Sequence, residues 1–286
     1  MPFELESLAK AVNYQQWVSE AIQPYLGRRI LEVGAGIGNM SQWLPVRERV
    51  VLTETEPALL QILRDRVPGY FGDNASKVSV APLDLSTPAD ARALEHERFD
   101  TIVSCNVLEH IEDDRAAISR LLDMLRASDQ PVRRLVAFVP AQPWALSDMD
   151  RFYGHFRRYS ARQLRDLSRD LAPEAQVSLT SFNAVGLLGW VWSTMILKRT
   201  TIDPGSVRAF DTLVPYLKPF DTLLCRTLRY PFGQSLIWVL TLPRNPPRSG
   251  AGETALARRR ASLSSEAAPR CQRNRVATIA HITPSV

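Results

Sequence analysis

The sequence contains only three cysteines in 286 residues, and Cys105, Cys225 and Cys271 lie far apart. Cysteine-based zinc sites and disulfide frameworks both require thiols at short, paired spacings. The spacing therefore excludes a small secreted domain held together by disulfides, and no metal is expected. Scattered, unpaired cysteines are typical of the reducing cytoplasm, which is the predicted location.

A long apolar run is also missing. The longest one, residues 184–197, is about 14 residues long and includes Ser193 and Thr194, whereas a helix needs roughly 20 apolar residues to cross a bilayer. The first residues, Met-Pro-Phe-Glu-Leu-Glu-Ser, lack the charged and apolar regions of a signal peptide. We interpret residues 184–197 as a buried or interfacial helix, which leaves peripheral contact with a membrane open.

The main part of the chain has little net charge. Of the formal net charge of +5, residues 244–286 contribute +6 through eight arginines and two glutamates, so residues 1–243 carry about −1. The chain therefore lacks the basic surface typical of nucleic-acid binding, and no nucleic acid is expected as a partner. Because residues 244–286 have few large apolar side chains, we predict a disordered basic tail after a domain of residues 1–243. The cluster Arg258-Arg259-Arg260 either contacts an anionic surface or is simply solvated.

Apolar runs and amphipathic segments alternate along the chain. The runs have the length of buried strands, and the segments between them carry apolar residues at helical spacing. Five alternations indicate a parallel sheet covered by helices on both faces. The predicted strands are residues 30–33, 49–53, 78–83, 99–105, 134–139, 176–180 and 235–242. The predicted helices are residues 4–26, 40–44, 58–67, 88–98, 112–125 and 160–171, with Pro68-Gly69 ending the third and Ser160 capping the last.

A helical insertion, residues 184–232, is predicted between the last two strands. Three interpretations are open for it: a lid over an apolar substrate pocket, a surface for a membrane or a partner, or a part of the core. The segment is rich in large apolar side chains, namely Trp190, Trp192, Met195, Phe210, Tyr216 and Phe220.

Residues 30–39, Ile-Leu-Glu-Val-Gly-Ala-Gly-Ile-Gly-Asn, lead from an apolar strand into a glycine-rich turn. Glycine allows the backbone to adopt positive φ and to approach a ligand closely. Sheets of this class bind ligands at the carboxyl ends of their strands. A dinucleotide fingerprint would have glycine at position 39, so Asn39 favours a nucleoside ligand without a pyrophosphate. The candidate residues in this loop are Glu32, Gly34, Gly36 and Gly38.

Acidic residues follow the second and third predicted strands. Glu54 ends the second strand, where a carboxylate can accept hydrogen bonds from both hydroxyls of a ribose. Glu56 competes for this role, but its place beyond the strand end is more typical of a solvated turn acid. Asp84 follows the third strand and is placed to accept a hydrogen bond from an adenine amino group, with a helix cap or turn as the alternative.

The fourth predicted strand is followed by Asn106-Val-Leu-Glu109-His110-Ile. Together with the glycine loop and the strand-end acids, this motif resembles the class I S-adenosylmethionine-dependent methyltransferases, in particular bacterial enzymes that act on small molecules. The resemblance covers about residues 10–240. It implies a doubly wound, Rossmann-like α/β sheet of seven mostly parallel strands, in which the sixth and seventh form an antiparallel edge pair.

The resemblance also implies how the cofactor, S-adenosylmethionine, is held. The glycine loop and Glu32 lie along the methionine part of the cofactor. Glu54 binds the ribose, and Asp84 with Leu85 binds the adenine. Asn106 lies beside the methionine end. Glu109 and His110 are interpreted as structural members of the turn, with contact between His110 and the substrate as the alternative.

A polar and aromatic segment follows the fifth strand. Its part from Asp150 to Ser160 is similar to the Asp-x-x-x-Gly-His-x-Arg-Arg-Tyr-Ser segment of one bacterial subset of these enzymes. We predict His155 as a general base, because an imidazole ordinarily titrates near neutral pH, and Asp150 as the residue that orients it.

Substrate-binding roles are predicted for Tyr153, Arg157 and Arg158, since an arginine can hold an anionic group bidentately. The alternative is that the segment only pairs with acids and caps the next helix, which is favoured for Tyr159 and Ser160.

The predicted function is therefore transfer of a methyl group to a small-molecule, lipid-linked or glycan-linked acceptor at oxygen. A base is needed only where the acceptor loses a proton, as a hydroxyl does. A noncatalytic cofactor-binding or scaffold protein with the same fold is the alternative. An NAD(P)-dependent enzyme is disfavoured by Asn39 and by Asp84 at the adenine position.

Overall fold

The computed structural model describes residues 5–244, apart from residues 7, 202 and 228–231. The described residues belong to one compact unit. The predicted disordered tail, residues 244–286, lies outside the described residues except for Arg244. Its disorder and the domain boundary at residue 243 stay predictions.

A single seven-stranded sheet organises the chain, with the strand order β3-β2-β1-β4-β5-β7-β6. The first five strands pair in parallel, and β7 runs antiparallel to both of its neighbours, β5 and β6. This arrangement confirms the predicted fold class, including the antiparallel last strand. The strands are β1 (Arg29–Val33), β2 (Arg49–Glu54), β3 (Val78–Pro82), β4 (Thr101–Cys105), β5 (Arg133–Pro140), β6 (Gln176–Phe182) and β7 (Ser235–Leu242).

Helices cover the sheet on both faces. On one face, α4 and α6 pack on alternate residues of the strands, such as Leu31 and Ile102. On the other face, α1, α2 and α8 pack on the intervening residues, such as Ile30 and Val103, because successive strand side chains point to opposite faces. The helices are α1 (Val12–Ile22), α2 (Pro57–Phe71), α3 (Pro88–Ala93), α4 (Asp114–Ala127), α5 (Asp148–Phe152), α6 (Ala161–Leu171), α7 (Ala184–Val191) and α8 (Pro204–Asp221).

Four of the predicted helices differ from the structure. The predicted helix at residues 40–44 is only a 3₁₀ turn, Ser41–Trp43, and the predicted helix at residues 88–98 ends at Ala93 and is followed by a 3₁₀ turn, Glu95–Glu97.

The predicted stop at Pro68-Gly69 is wrong, because α2 continues to Phe71 and ends at Gly72, which has φ +50°. The predicted first helix, residues 4–26, is shorter than expected: α1 spans residues 12–22, followed by a 3₁₀ turn. Its first turn is capped from far along the chain, because Asp211 accepts hydrogen bonds from the backbone amides of Asn13 and Tyr14.

Helices lie between β6 and β7, in the segment predicted as a helical insertion. It consists of α7, a π-helical turn at Trp192–Ile196, α8 and a second π-helical turn at Thr222–Thr227. Its two buried acids attach it to the rest of the domain: Asp211 caps α1, and Asp221 accepts hydrogen bonds from the amides of Asn183 and Ala184 at the start of α7. Among the described residues, no helix is both long and apolar enough to cross a membrane.

Candidate active site

The glycine loop begins where β1 ends, at the carboxyl edge of the parallel strands. Its three glycines all have positive φ, of +66°, +58° and +87° at Gly34, Gly36 and Gly38. A Cβ on Gly34 would lie 2.5 Å from Cγ2 of Val107, the residue after Asn106. The close approach of this loop to the segment after β4 therefore requires glycine at position 34 for both its conformation and its size.

Glu32 is buried beneath this loop. Its Oε2 accepts a hydrogen bond from the Ser41 hydroxyl over 2.5 Å, and only 2% of the residue is exposed. Burial raises the pKa of Glu32 to about 7, the Ser41 hydrogen bond opposes this rise, and the nearby Glu54 adds to it. A buried carboxyl that is half-protonated near neutral pH can accept a hydrogen bond from a cationic ligand group and become ionised when it does so.

Glu54 ends β2 directly beside the loop. Its Oε2 accepts a hydrogen bond from the Gly36 amide over 2.9 Å, and its Oε1 accepts one from the Thr55 amide over 2.7 Å. The competing residue Glu56 is exposed, and only its backbone amide reaches Glu54. The carboxylate of Glu54 is thus the one in contact with the glycine loop, although its contact with a ribose stays a prediction.

The acid after β3 and the amide after β4 lie at the same edge. Asp84 Oδ1 accepts a hydrogen bond from the Ser86 amide over 2.7 Å, and hydrogen bonds to Ser86 lower the pKa of this carboxyl. The next residue, Leu85, is 4% exposed. Asn106 is exposed and adopts a left-handed conformation, with φ +53°.

These strand ends fit S-adenosylmethionine. The parallel register places the ends of β1, β2, β3 and β4 side by side, so the residues predicted to hold the methionine, ribose and adenine parts share one edge. The glycines let the backbone approach the ligand. The two half-buried acids, Glu54 and Asp84, can accept hydrogen bonds from hydroxyl and amino groups. The loop itself contains no basic side chain that would suit a pyrophosphate.

A second polar group is built on the segment after β5. His155 Nδ1 lies 3.0 Å from Oδ1 of Asp150. Asp150 is fully buried and also accepts hydrogen bonds from Arg158, from Nε over 3.0 Å and from Nη2 over 2.8 Å. Burial favours a higher pKa for Asp150, but the hydrogen bonds from His155 and Arg158 outweigh it and lower the pKa to about 2. The carboxylate is therefore ionised and orients the imidazole.

The two arginines of this segment have partners within the protein. Arg158 is buried, donates to Ala141 O and stacks with its guanidinium carbon 4.2 Å from the Trp190 ring. Arg157 pairs with Asp114 over 2.6 Å and donates to the backbone of Glu112. Either arginine would have to leave these contacts to bind an anionic substrate group, and their substrate-binding roles stay predictions.

The rest of the segment is structural to a large extent. Ser160 is the N-cap of α6 and forms a reciprocal capping box with Gln163, as the favoured interpretation predicted. The Tyr159 hydroxyl donates to Asp114 over 2.7 Å in a buried position. Tyr153 is half-buried at the end of α5, with its ring 5.3 Å from that of Phe152.

A feature that sequence reasoning missed is the isolation of Glu109. The residue lies in a 3₁₀ turn, Leu108–His110, is fully buried, and neither carboxylate oxygen accepts a hydrogen bond from another described residue. Burial raises the pKa of Glu109 to about 8, against smaller opposing effects of its own backbone amide and of Arg158. No sequence signal could have shown this, because a Leu-Glu-His turn is compatible with an exposed carboxylate.

Glu109 belongs to a cluster with two histidines. One ligand atom from each of Glu109, His110 and His155 lies within 4.8 Å of the others, and the two imidazole rings meet edge to face with their centroids 4.6 Å apart. Desolvation and the neighbouring His155 lower the pKa of His110 to about 4, although part of the residue stays exposed. His110 is therefore neutral near pH 7.

An apolar cavity adjoins this second polar group. It has a volume of about 690 Å³ and lies between the insertion and the start of the chain. Two of its lining residues connect it to the polar group: Met149 precedes Asp150 in α5, and Trp190 is the ring on which Arg158 stacks. Other lining residues include Ala11, Tyr14, Leu188, Trp192 and Phe210.

Comparison with known proteins supports the interpretation of this edge. Residues 31–128 match a family model described as a methyltransferase domain. The matched part includes the glycine loop, Glu54, Asp84 and the turn from Asn106 to His110, but not the segment from Asp150 to Ser160. A reducing polyketide synthase from Preussia isomera is 30% identical over 112 residues, which are 38% of this chain and 5% of the synthase.

Solved structures share the fold at low sequence identity. A protein from Thermotoga maritima described as an S-adenosylmethionine-dependent methyltransferase aligns with a TM-score of 0.50 and 15% identity, over 80% of this chain and 91% of that one. The YcgJ protein of Bacillus subtilis also aligns with a TM-score of 0.50, at 12% identity over 81% and 99% of the two chains. The family match over residues 31–128 and the shared fold confirm the predicted resemblance to the class I S-adenosylmethionine-dependent methyltransferases.

Proposed function

We propose that this protein transfers a methyl group from S-adenosylmethionine to a hydroxyl oxygen of an acceptor that carries an apolar part. The observation that carries the proposal is the oriented Asp150-His155 pair, which lies beside an apolar cavity in a chain with a methyltransferase domain. A hydroxyl acceptor must lose a proton, and this pair can accept one.

The cofactor site is proposed at the edge already described. The glycine loop with Glu32 would hold the methionine part, Glu54 the ribose, Asp84 and Leu85 the adenine, and Asn106 the methyl end. When bound, the cofactor supplies a methyl group already activated by its sulfonium. The protein must then hold the acceptor in line with that group, an orientation effect that can supply roughly 7–11 kcal/mol.

His155 is the proposed general base. The ionised Asp150 can only accept a hydrogen bond, so the hydrogen of the neutral imidazole lies on Nδ1 and the Nε2 lone pair is free to accept a proton. Arg158 fixes Asp150 from the other side, and the side chain of His155 keeps 16% of its surface exposed. The acceptor proton would move to Nε2 as the oxygen attacks the methyl group.

Replacement of His155 by alanine tests this proposal. We expect kcat to fall about 10²–10⁴-fold, since a positioned base contributes an effect of that size, whereas the affinity for S-adenosylmethionine should not change because His155 lies outside the glycine-loop edge. The measurement is release of S-adenosylhomocysteine with long-chain alcohols and lipid-linked sugars as acceptors, together with calorimetric titration of the cofactor.

His96→Ala is the matched control, because His96 is exposed and its ring contacts the backbone oxygen of Ala93, three residues before it. Unchanged turnover in the His155 variant would remove the base from the mechanism. Cofactor binding without turnover of any acceptor in the wild-type protein would favour a noncatalytic cofactor-binding protein, and binding of NAD instead would contradict the cofactor assignment.

The insertion supports an amphiphilic acceptor and peripheral contact with an anionic membrane. Its outer side, which we call the insertion surface, exposes basic residues, namely Lys198, Arg199 and Arg208, while two of its acids, Asp211 and Asp221, are buried and serve as caps. Apolar groups flanked by cationic ones favour an interface with anionic lipid. The exposed apolar residues of this surface are Leu188, Trp192, Met195, Ile196, Leu197, Leu213, Tyr216, Phe220 and Leu223.

Loss of apolar groups from the insertion surface should weaken binding to lipid. We expect the wild-type protein to co-sediment with phosphatidylglycerol vesicles more strongly than with phosphatidylcholine vesicles. The double variant Tyr216→Ser and Phe220→Ser should bind about tenfold more weakly, because two large side chains that are exposed and do not line the cavity no longer enter the interface. Trp144→Ser is the control, since Trp144 is 53% exposed but lies outside the insertion. Equal binding of both variants would contradict a membrane-facing insertion surface.

A further inference from the structure

We propose that Glu109, His110 and His155 form a binding site for a divalent transition-metal cation. The three residues come from two places in the chain, the turn after β4 and the segment after α5, and the fold brings one donor atom of each within 4.8 Å of the others. A first-row ion holds its nitrogen and oxygen ligands at about 2.0–2.2 Å, so ligand atoms around it lie roughly 3–4 Å apart. The upper limit of 4.8 Å between the donor atoms is close to that spacing.

The isolated carboxylate of Glu109 is the second, independent observation. It is fully buried, and neither of its oxygens has a hydrogen-bond partner among the described residues. A buried carboxyl without partners is costly: alone it is kept neutral by a proton, and it becomes ionised when it is paired with a charge or coordinates a metal. Arg158, the buried cation nearby, is already bound to Asp150 through two nitrogens. A cation between Glu109 and the two imidazoles would supply the missing partner.

The surroundings of the histidines fit a metal site. Metal-binding histidines usually donate their other ring N–H to a carboxylate or a backbone carbonyl, which fixes the ring and its tautomer. His155 has such a partner in Asp150, itself fixed by Arg158. Nδ1 of His110 lies beside Gly154, the residue just before His155, since a Cβ built on that glycine would be 3.7 Å from it. Because Asp150 engages Nδ1 of His155, Nε2 is the nitrogen of that ring that can bind an ion.

The ligand set indicates the class of ion. Two imidazoles and one carboxylate suit first-row divalent ions such as Mn²⁺, Fe²⁺, Co²⁺ and Zn²⁺, whereas Mg²⁺ and Ca²⁺ prefer oxygen ligands. Three protein ligands leave coordination positions open, which is typical of catalytic sites. Because His110 is exposed, the open positions can be reached from solvent.

A role in catalysis rests on the proposed function. In the absence of an ion, Nε2 of His155 is free to act as a base. With an ion bound, that nitrogen would be a ligand and no longer the base. The acceptor hydroxyl would bind the ion, which would lower the pKa of the hydroxyl, and its proton would pass to water at the exposed side of the site. We therefore expect turnover to rise when the cation is added to chelator-treated protein.

Cation binding is tested in the absence of cofactor and acceptor. A protein that does not bind the cation can then be told apart from one that does not transfer a methyl group. The full chain is treated with chelator and titrated with Co²⁺, followed by visible absorption, and with Zn²⁺, followed by calorimetry. We expect one equivalent to bind and the Co²⁺ spectrum to show nitrogen and oxygen ligands. His110→Ala and Glu109→Gln should each weaken binding about tenfold or more, while Mg²⁺ should not compete.

His96→Ala controls for adventitious binding to surface histidine, and calorimetric titration with S-adenosylmethionine shows that each variant is folded. Binding of the same stoichiometry and affinity in wild type, His110→Ala and Glu109→Gln would overturn the proposal. Absence of a stoichiometric site in the wild-type protein would also overturn it, even if methyl transfer is observed.

Discussion

Replacement of Gly34 by alanine is expected to abolish high-affinity binding of S-adenosylmethionine, with at least a tenfold loss. The backbone at this position has φ +66°, which is costly for a residue with a Cβ, and the new methyl carbon would lie 2.5 Å from Val107 Cγ2. Relief of this contact must move either the loop or the segment after β4, which contains Asn106. Both belong to the proposed cofactor site, so the change acts on affinity and on stability together. Calorimetric titration with the cofactor measures the first, and urea unfolding the second.

Two other glycines separate the causes of this effect. Gly36 has a similar φ of +58°, but a Cβ there would meet only Leu5, at 3.5 Å or more, so Gly36→Ala reports the backbone strain without the steric contact. Gly69 lies inside α2 with open space around it, and Gly69→Ala should leave affinity unchanged and stabilise the helix by about 0.5–1 kcal/mol. If Gly34→Ala bound the cofactor as well as Gly69→Ala does, the glycine loop would not be the site.

The parts of the fold that could be predicted from the sequence are those specified by local pattern. Buried strands of a parallel sheet appear as short apolar runs, and all seven were located, with boundaries that differ by no more than two residues. The cap at Ser160 was predicted for the same reason, since the capping box with Gln163 needs only residues of one turn. The antiparallel pairing of the last two strands followed from the family resemblance and not from any single pattern.

The wrong helix boundaries have causes that the local sequence does not show, namely contacts with residues far along the chain and packing in the core. The start of α1 depends on Asp211, nearly two hundred residues away, which satisfies amides that the helix itself leaves free. Pro68 was expected to end α2, but the packing of Leu63 and Val67 in the core holds the helix through it. In both cases tertiary contacts outweigh local preference.

The candidate site divides in the same way. The strand-end residues Glu54 and Asp84 could be located from sequence, because parallel strands end at one edge. The state of Glu109 could not be predicted from the sequence. Its burial and its lack of hydrogen-bond partners arise from how the turn after β4 packs against the segment after α5. The partners of Arg158 were equally hidden: one is the Trp190 ring of the insertion.

Breaking the ion pair between Asp150 and Arg158 is expected to cause the largest loss of stability of any single polar change described for this domain. Arg158 is 3% exposed and Asp150 is fully buried, so Asp150→Ala leaves a buried guanidinium without its counter-charge. The depressed pKa of Asp150 and the usual cost of breaking a buried pair place the loss at about 2–5 kcal/mol. Urea unfolding at pH 7 measures it.

The pH dependence of this loss has a definite sign. Because the pKa of Asp150 is lowered to about 2 in the folded protein, the ionised carboxylate stabilises the fold above its unfolded pKa, near 4, and that contribution is lost as the pH falls towards 2. The difference in unfolding free energy between wild type and the isosteric variant Asp150→Asn should therefore be full at pH 6 and shrink below pH 4.

Asp148 provides the control on the same helix, because its ion pair with Arg151 is exposed on both sides. Asp148→Asn should leave the unfolding free energy unchanged at every pH, since exposed pairs contribute little. Turnover should fall in Asp150→Asn as well, because an amide in place of the carboxylate no longer fixes the hydrogen on Nδ1 of His155. A stable Asp150→Asn variant with wild-type turnover would show that Asp150 neither holds Arg158 nor orients His155.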